Sequence, residues 1–122
     1  MFMRVFLKRL VCLLCGYVSV QAAVAQDVDA SLAAAYKRDQ SVREEVVALF
    51  RLVNEGHVGL VDSLVDASER MERIDSENIR LVQSLLDKGF PKRLDESSYE
   101  AIWIIVDHAE LGVTEEYLPV LH

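Results

Sequence analysis

Six consecutive apolar residues, Ala-Ile-Trp-Ile-Ile-Val over 101–106, set the strongest constraint on this chain. Wound as a helix, such a run is apolar on every side, and a helix of that kind has to be buried. A buried strand is the competing reading, because Ile, Val and Trp favour sheets. No second strand-like run exists for it to pair with, and the preceding segments carry helical periodicity, so a helix is expected. The run ends abruptly at Asp107 and His108, with Gly112 beyond. The rest of the chain must supply its cover.

The upstream segments have the pattern for that role. Leu32, Ala35, Tyr36, Val42, Val46, Leu49, Phe50 and Val53 recur at helical spacings and trace one face of a helix over about 30–54. Asp27, Asp29 and Ser31 stand where N-cap residues belong, and Gly56 suits a left-handed position just past the helix end. A second stripe runs through Val58, Val61, Leu64, Val65, Ser68, Met71 and Ile74, giving a helix over about 57–73. Asp75-Ser76-Glu77-Asn78 offers a cap and an acidic first turn for a third, whose stripe Ile79, Val82, Leu85 and Leu86 reaches Gly89. Nothing between Ile74 and Asn78 breaks a helix, so whether these two are one helix stays open. Gly89-Phe90-Pro91 is a stop, Ser97 or Ser98 can cap the apolar helix, and Thr114-Glu115-Glu116 precedes a short last segment, YLPVLH. The expected fold is all-α, with four to five helices in one small bundle-like domain.

The first 25 residues read as a secretory signal peptide, with residues 26–122 as the domain. Arg4, Lys8 and Arg9 form a basic start, Leu10–Val20 an apolar centre, and Ala23-Val24-Ala25 a cleavage site. The apolar run is well short of the about 20 residues a membrane span takes, so no stable anchor is expected after cleavage behind Ala25. The expected location is periplasmic or secreted. Both cysteines, Cys12 and Cys15, leave with the signal, which excludes a disulfide framework, a thiol nucleophile and a cysteine-bound metal. Three of the 13 basic residues leave as well, and none of the 20 acidic ones, so the domain carries about −10. That charge repels phosphate backbones and disfavours nucleic acid as a partner.

Several polar residues occupy places where a plain bundle puts apolar ones. Asp39 falls on the apolar stripe of the first helix, next to Gln40 and four residues before Arg43, within reach of an ion pair. Asp75 and Asn78 stand at the junction of the second and third helical segments. His108 follows the apolar helix, four residues after Ile104. Each has a plain structural role available: a surface pair, a cap, a histidine bonded to a carbonyl. Together they can also form one site. His108 then acts as general acid or base positioned by Asp75 or Asp39, while Asp39, Gln40, Arg43 and Asn78 bind ligand. A metal centre of His108 with Asp107 or Glu110 is not expected, because Asp107 beside His108 points about 100° away on a helix. No HExxH, GxSxG or glycine-rich phosphate loop is present, and no cofactor is expected.

Taken in order, DQSVR at 39–43, DSEN at 75–78, GFP at 89–91, IIVDHAE at 104–110 and Leu118-Pro119 resemble a bacterial family, domain of unknown function 6624. Its pattern runs DQxxR, DxxN, GWP, an apolar helix ending in QHAD, then LP, and the resemblance spans about residues 32–121. Asp39, Gln40, Arg43, Asp75, Asn78, Pro91 and His108 match its motif positions. Phe90 replaces a Trp, Asp107 a Gln and Glu110 an Asp, a Val-Gly pair is missing from the loop that follows, and relatives continue past the position of His122. The family has no established reaction, so the resemblance implies fold and kinship. The functional expectation is an exported acidic all-α binding or interaction module, for an unidentified protein or small molecule, with self-association as a further expectation. The alternative is an enzyme using His108 as acid or base with Asp39, Arg43 and Asp75.

Overall fold

The computed structural model describes residues 2–89 and 93–109, with side chains from Asp27 onward. Helix α1 covers Phe2–Asn54, α2 Val61–Leu86 and α3 Glu96–Asp107, with one 3-10 turn at Val58–Leu60. The described residues are thus all-helical. They hold three α-helices where four or five were expected, for two reasons. The two segments expected over 57–73 and from Asp75 onward are one helix, α2, since no residue between them interrupts the ladder. The last segment, over 114–122, lies outside the described residues.

Helix α1 also departs from expectation at its start. Asp27, Asp29 and Ser31 are interior residues of α1 and do not cap its start. No glycine or proline stands between Tyr17 and Glu55, and the alanines at 22, 23, 25, 30 and 33–35 are the strongest helix formers. With no breaker and high propensity, the helix runs straight through. The proposed signal segment falls on residues whose side chains are not described; among the described residues no helix is long and apolar enough to cross a membrane.

Helices α1 and α2 form an antiparallel hairpin. Arg43 meets Asp75, Asn78 meets Ala35, and Arg70 meets Glu45. Helix α3 lies in the groove between them, parallel to α1, with Ser98 against Asp29 and His108 against Asp39. The core is Leu32 and Ala35 from α1, Val82 and Leu86 from α2, and Ala101, Ile102, Ile105 and Val106 from α3. The spacing of that α3 set defines one face. The helix is therefore not buried all round as its composition suggested: two neighbours cover one side, and Trp103 is 38% exposed. Phe50, from the α1 stripe, is likewise 56% exposed, because α3 ends before reaching it.

Polar contacts fasten the same groove. The N-cap of α3 is Asp95, one turn earlier than the serines suggested, and its own side chain makes no capping bond. Asp29 of α1 does that work from across the interface, accepting the Asp95 backbone N–H at 3.1 Å and the Ser98 hydroxyl at 2.5 Å. A carboxylate beside the first turn of a helix also opposes the positive end of its dipole.

The hairpin turn is set by Gly56. The His57 N–H donates to the Leu52 carbonyl and the Gly56 N–H to the Val53 carbonyl, the paired bonds of a Schellman cap. Gly56 sits at φ +104°, a conformation that strains any residue with a Cβ. The space around it is open, so the strain is purely of the backbone. Gly56→Ala is expected to lower unfolding stability by about 1 kcal/mol. Gly59→Ala, at an equally open position of ordinary φ, serves as the control and should change little. Urea unfolding of both variants checks this, and equal effects would refute the assignment.

Candidate functional site

Asp39 is the anchor of the polar cluster. Its place on the buried stripe of α1 leaves it 1% exposed, and a carboxylate that deep needs full compensation. It receives three partners. Gln40 Nε2 donates to Oδ2 at 2.7 Å, Arg43 Nε donates to Oδ1 at 3.1 Å, and His108 Nδ1 lies 2.9 Å from Oδ1. Among the described residues no buried side-chain polar atom lacks a partner.

Arg43 extends the cluster to α2. Its Nη2 donates to both carboxylate oxygens of Asp75, at 2.7 and 2.8 Å, and its Nη1 lies 3.3 Å from the sulfur of Met71. The guanidinium therefore touches all three helices, since its Nε is also 3.0 Å from His108 Nδ1. That crowding decides the tautomer. Arginine nitrogens only donate, and Asp39 only accepts. A bare Nδ1 would set its lone pair against the Asp39 oxygen in a buried setting. With the proton on Nδ1, Asp39 accepts from both ring and guanidinium, and the close Arg43–His108 approach follows from their shared acceptor. The other ring nitrogen, Nε2, then carries the ring's lone pair.

Next to His108 an open cavity of about 610 Å³ lies between α2 and the end of α3. Its lining includes Glu72, Asp75, Ser76, Ile79, Arg80, Gln83 and His108. Asp75 and His108 are about one-quarter exposed or slightly less and reach it directly. Asp39, Gln40, Arg43 and Asn78, expected to bind ligand, are not among its lining residues. The first three hold His108 and Asp75 in place from behind. Asn78 is 1% exposed, donates to the Ala35 carbonyl at 3.1 Å and accepts from Arg38 at 3.3 Å. It staples α2 to α1. Asp75 caps no helix, because it lies well inside α2.

Ser76, Ile79, Arg80 and Gln83 were missed as lining residues. Their spacing of three and four along α2 places them on one face with Asp75, and that periodicity is the signal they carry. Arg80 and Ser76 read as ordinary exposed polar residues until α3 is docked opposite them.

Asp39, Asp75 and His108 each offer a ligand atom, all within 4.8 Å of one another, a set of donors that suits a cation. Arg43 already places a fixed positive charge among them and bonds both carboxylates. Asp107, the neighbour weighed with His108 as a metal ligand, is exposed and no member of this set; Glu110 lies outside the described residues.

Burial pushes the Asp75 carboxyl above its ordinary value of 3.8, and the negative charge of Asp39 adds to that. The Arg43 charge and hydrogen bonds pull the other way without cancelling it. No family model, curated protein or solved structure matches the chain.

The raised Asp75 value has a signed consequence. The folded state holds this proton more tightly than the unfolded one, so the contribution to stability is present below about pH 3.8 and is lost as pH rises through the folded value. Wild type should therefore lose stability relative to Asp75→Asn on going from pH 3 to about pH 6. Urea unfolding of both at matched pH values measures the difference, and a gap that widens in favour of wild type would contradict it.

Proposed function

We propose that this chain is an exported, acidic, all-α binding module for a small polar molecule, seated in the cavity beside His108. One observation carries the reading. A buried carboxylate, Asp39, holds His108 Nδ1 at 2.9 Å where the ring meets an open cavity. Fixing one ring nitrogen with a carboxylate sets both the orientation and the tautomer of the other. The lining supports a polar ligand, because Ser76, Arg80 and Gln83 supply donors and acceptors around the apolar Ile79.

The same dyad favours an enzymatic reading of the site. His108 Nε2 takes a proton from a bound hydroxyl or water and later returns it, while Asp39 stabilises the ring as it becomes charged. The cluster sets two carboxylates against one guanidinium, so a proton arriving on the ring brings it to neutrality. Asp75 acts through Arg43, which it holds by two bonds. Its role is to position, with Arg43, the Asp39–His108 pair.

A fragment screen by NMR tests both levels. Hits should perturb the resonances of Ser76, Arg80, Gln83 and His108 together. His108→Gln should change the affinity of such a hit by less than about tenfold, while slowing any turnover of it by on the order of 10²–10⁴-fold. Hits that map elsewhere on the domain would remove the binding reading. Turnover that survives in His108→Gln would remove the enzymatic one and leave binding intact.

Export rests on the basic residues Arg4, Lys8 and Arg9, the apolar run behind them and the Ala-Val-Ala site. Kinship with domain of unknown function family 6624 rests on the order of its short motifs, several of whose matching residues, Asp39, Gln40, Arg43, Asp75 and His108, are those gathered in the polar cluster. Cleavage behind Ala25 would leave the helical domain with its first described core side chain, Leu32, seven residues inside the new terminus. Intact mass measurement of protein recovered from outside the cytoplasm should give a chain starting at Gln26. A mass that includes Met1 through Ala25 would refute export by cleavage.

A further inference from the structure

The α1–α2 hairpin has a second face, turned away from α3. Asp39 and Arg43 mark the side of α1 that meets α3. At about 100° per residue, Ser41 lies about 200° round the helix from Asp39, on the opposite side. There an open cleft of about 410 Å³ lies between α1 and α2, within the range of small-molecule sites, about 300–1,000 Å³. Lys37, Arg38 and Ser41 line it above apolar Val42 and Ile74, and the Glu45–Arg70 pair completes it. The cleft is positive on a chain with 20 acidic and 13 basic residues. Both Glu45 oxygens accept from Arg70, at 2.7 and 3.0 Å, so that pair is neutral. Lys37 and Arg38 have no carboxylate partner among the described residues. A neutral group holds Arg38 instead. Its Nη2 donates to Asn78 Oδ1 at 3.3 Å, and Asn78 is itself 1% exposed and fixed to the Ala35 carbonyl at 3.1 Å. An amide orients a guanidinium without neutralising it, and one such bond leaves most of its N–H donors for another acceptor.

We propose that this cleft binds a small organic oxyanion, a carboxylate or phosphate group carried on an apolar body. Arg38 presents a planar fork that matches either headgroup. Residues three and four apart on a helix are neighbours, so Ser41 adjoins both Arg38 and Lys37 and adds a hydroxyl donor beside the two charges. Val42, 3% exposed, and half-buried Ile74 give the body of the ligand an apolar floor. Glu45 does not oppose the anion, because Arg70 already answers its charge. An anion seated there neutralises two cations that the chain places side by side without a counter-charge. The cleft shares no lining residue with the cavity beside His108, so each site fills independently of the other.

Titration of the whole chain with benzoate and with phenyl phosphate, followed by NMR, tests this. At least one of the two should give saturable shifts at Lys37, Arg38, Ser41 and Ile74 together, and the tighter one identifies the headgroup. Benzyl alcohol keeps the ring without the charge and should bind at least about tenfold more weakly. Arg38→Gln should weaken the anion by at least about tenfold, and Lys37→Gln by severalfold. Arg38→Lys keeps the charge but loses the fork, and should cost at least about threefold. Arg51→Gln removes the same charge from an exposed position of α1 outside the cleft and should change affinity less than about twofold. These positions are exposed, and unchanged α3 resonances in each variant report an intact core. Absence of saturable shifts at the cleft with both anions would overturn the proposal, as would equal binding of benzyl alcohol. Affinity that survives in Arg38→Lys would overturn it too, by reducing the cleft to diffuse charge.

Discussion

A single charge in the core organises this domain. Asp39 occupies a position on α1 where Leu32, Ala35 and Val42 show that an apolar side chain belongs. Leaving a buried charge unpaired costs about 3–5 kcal/mol, a large part of the stability of any small domain. The compensation comes from three sources: the local Gln40, the next turn's Arg43, and His108 from the far end of the chain. Arg43 brings a charge of its own, and Asp75 answers it from α2. Apolar packing would hold three helices together in many relative positions. This chain of partners accepts only one, because each bond depends on the lateral setting of two helices at once.

Polar groups recur in that role along the whole groove. Asn78 reaches the Ala35 carbonyl from α2, and Asp29 reaches the first turn of α3 from α1. In each case a short polar side chain bonds backbone or hydroxyl groups of another helix. The apolar contacts give the groove its energy, through burial at about 25 cal/mol per Å². The polar contacts set its register.

The helical class, the Gly56 turn and the composition of the core were legible from periodicity, because apolar spacing is a local property of each segment. The polar cluster was legible for a related reason. Asp39 interrupts an apolar stripe, and His108 closes an apolar run, so both stand out against their surroundings. The errors share one origin. Asp29, Ser98 and Asp75 are cap-forming types, and a local reading assigns them to the nearest helix end. Each instead serves a partner on another helix, and nothing in the flanking residues encodes that. Trp103 and Phe50 were misplaced because their exposure depends on where a neighbouring helix stops. The cavity lining escaped notice because Ser76, Arg80 and Gln83 become a surface only when α3 lies opposite them.

The partners of the cluster are far apart in sequence. His108 is 69 residues from Asp39 and 65 from Arg43, while the α1–α2 contacts close through a tight turn. Loop closure entropy rises with the length enclosed, so the hairpin forms more readily than the groove fills. On that ordering the Asp39–His108 pair assembles after the hairpin. Any opening that releases α3 dissolves the pair and its cavity. Whatever occupies the cavity against His108 bridges α2 to α3, and its binding energy counts directly against that opening. Occupancy and closure of the third helix are thereby a single equilibrium.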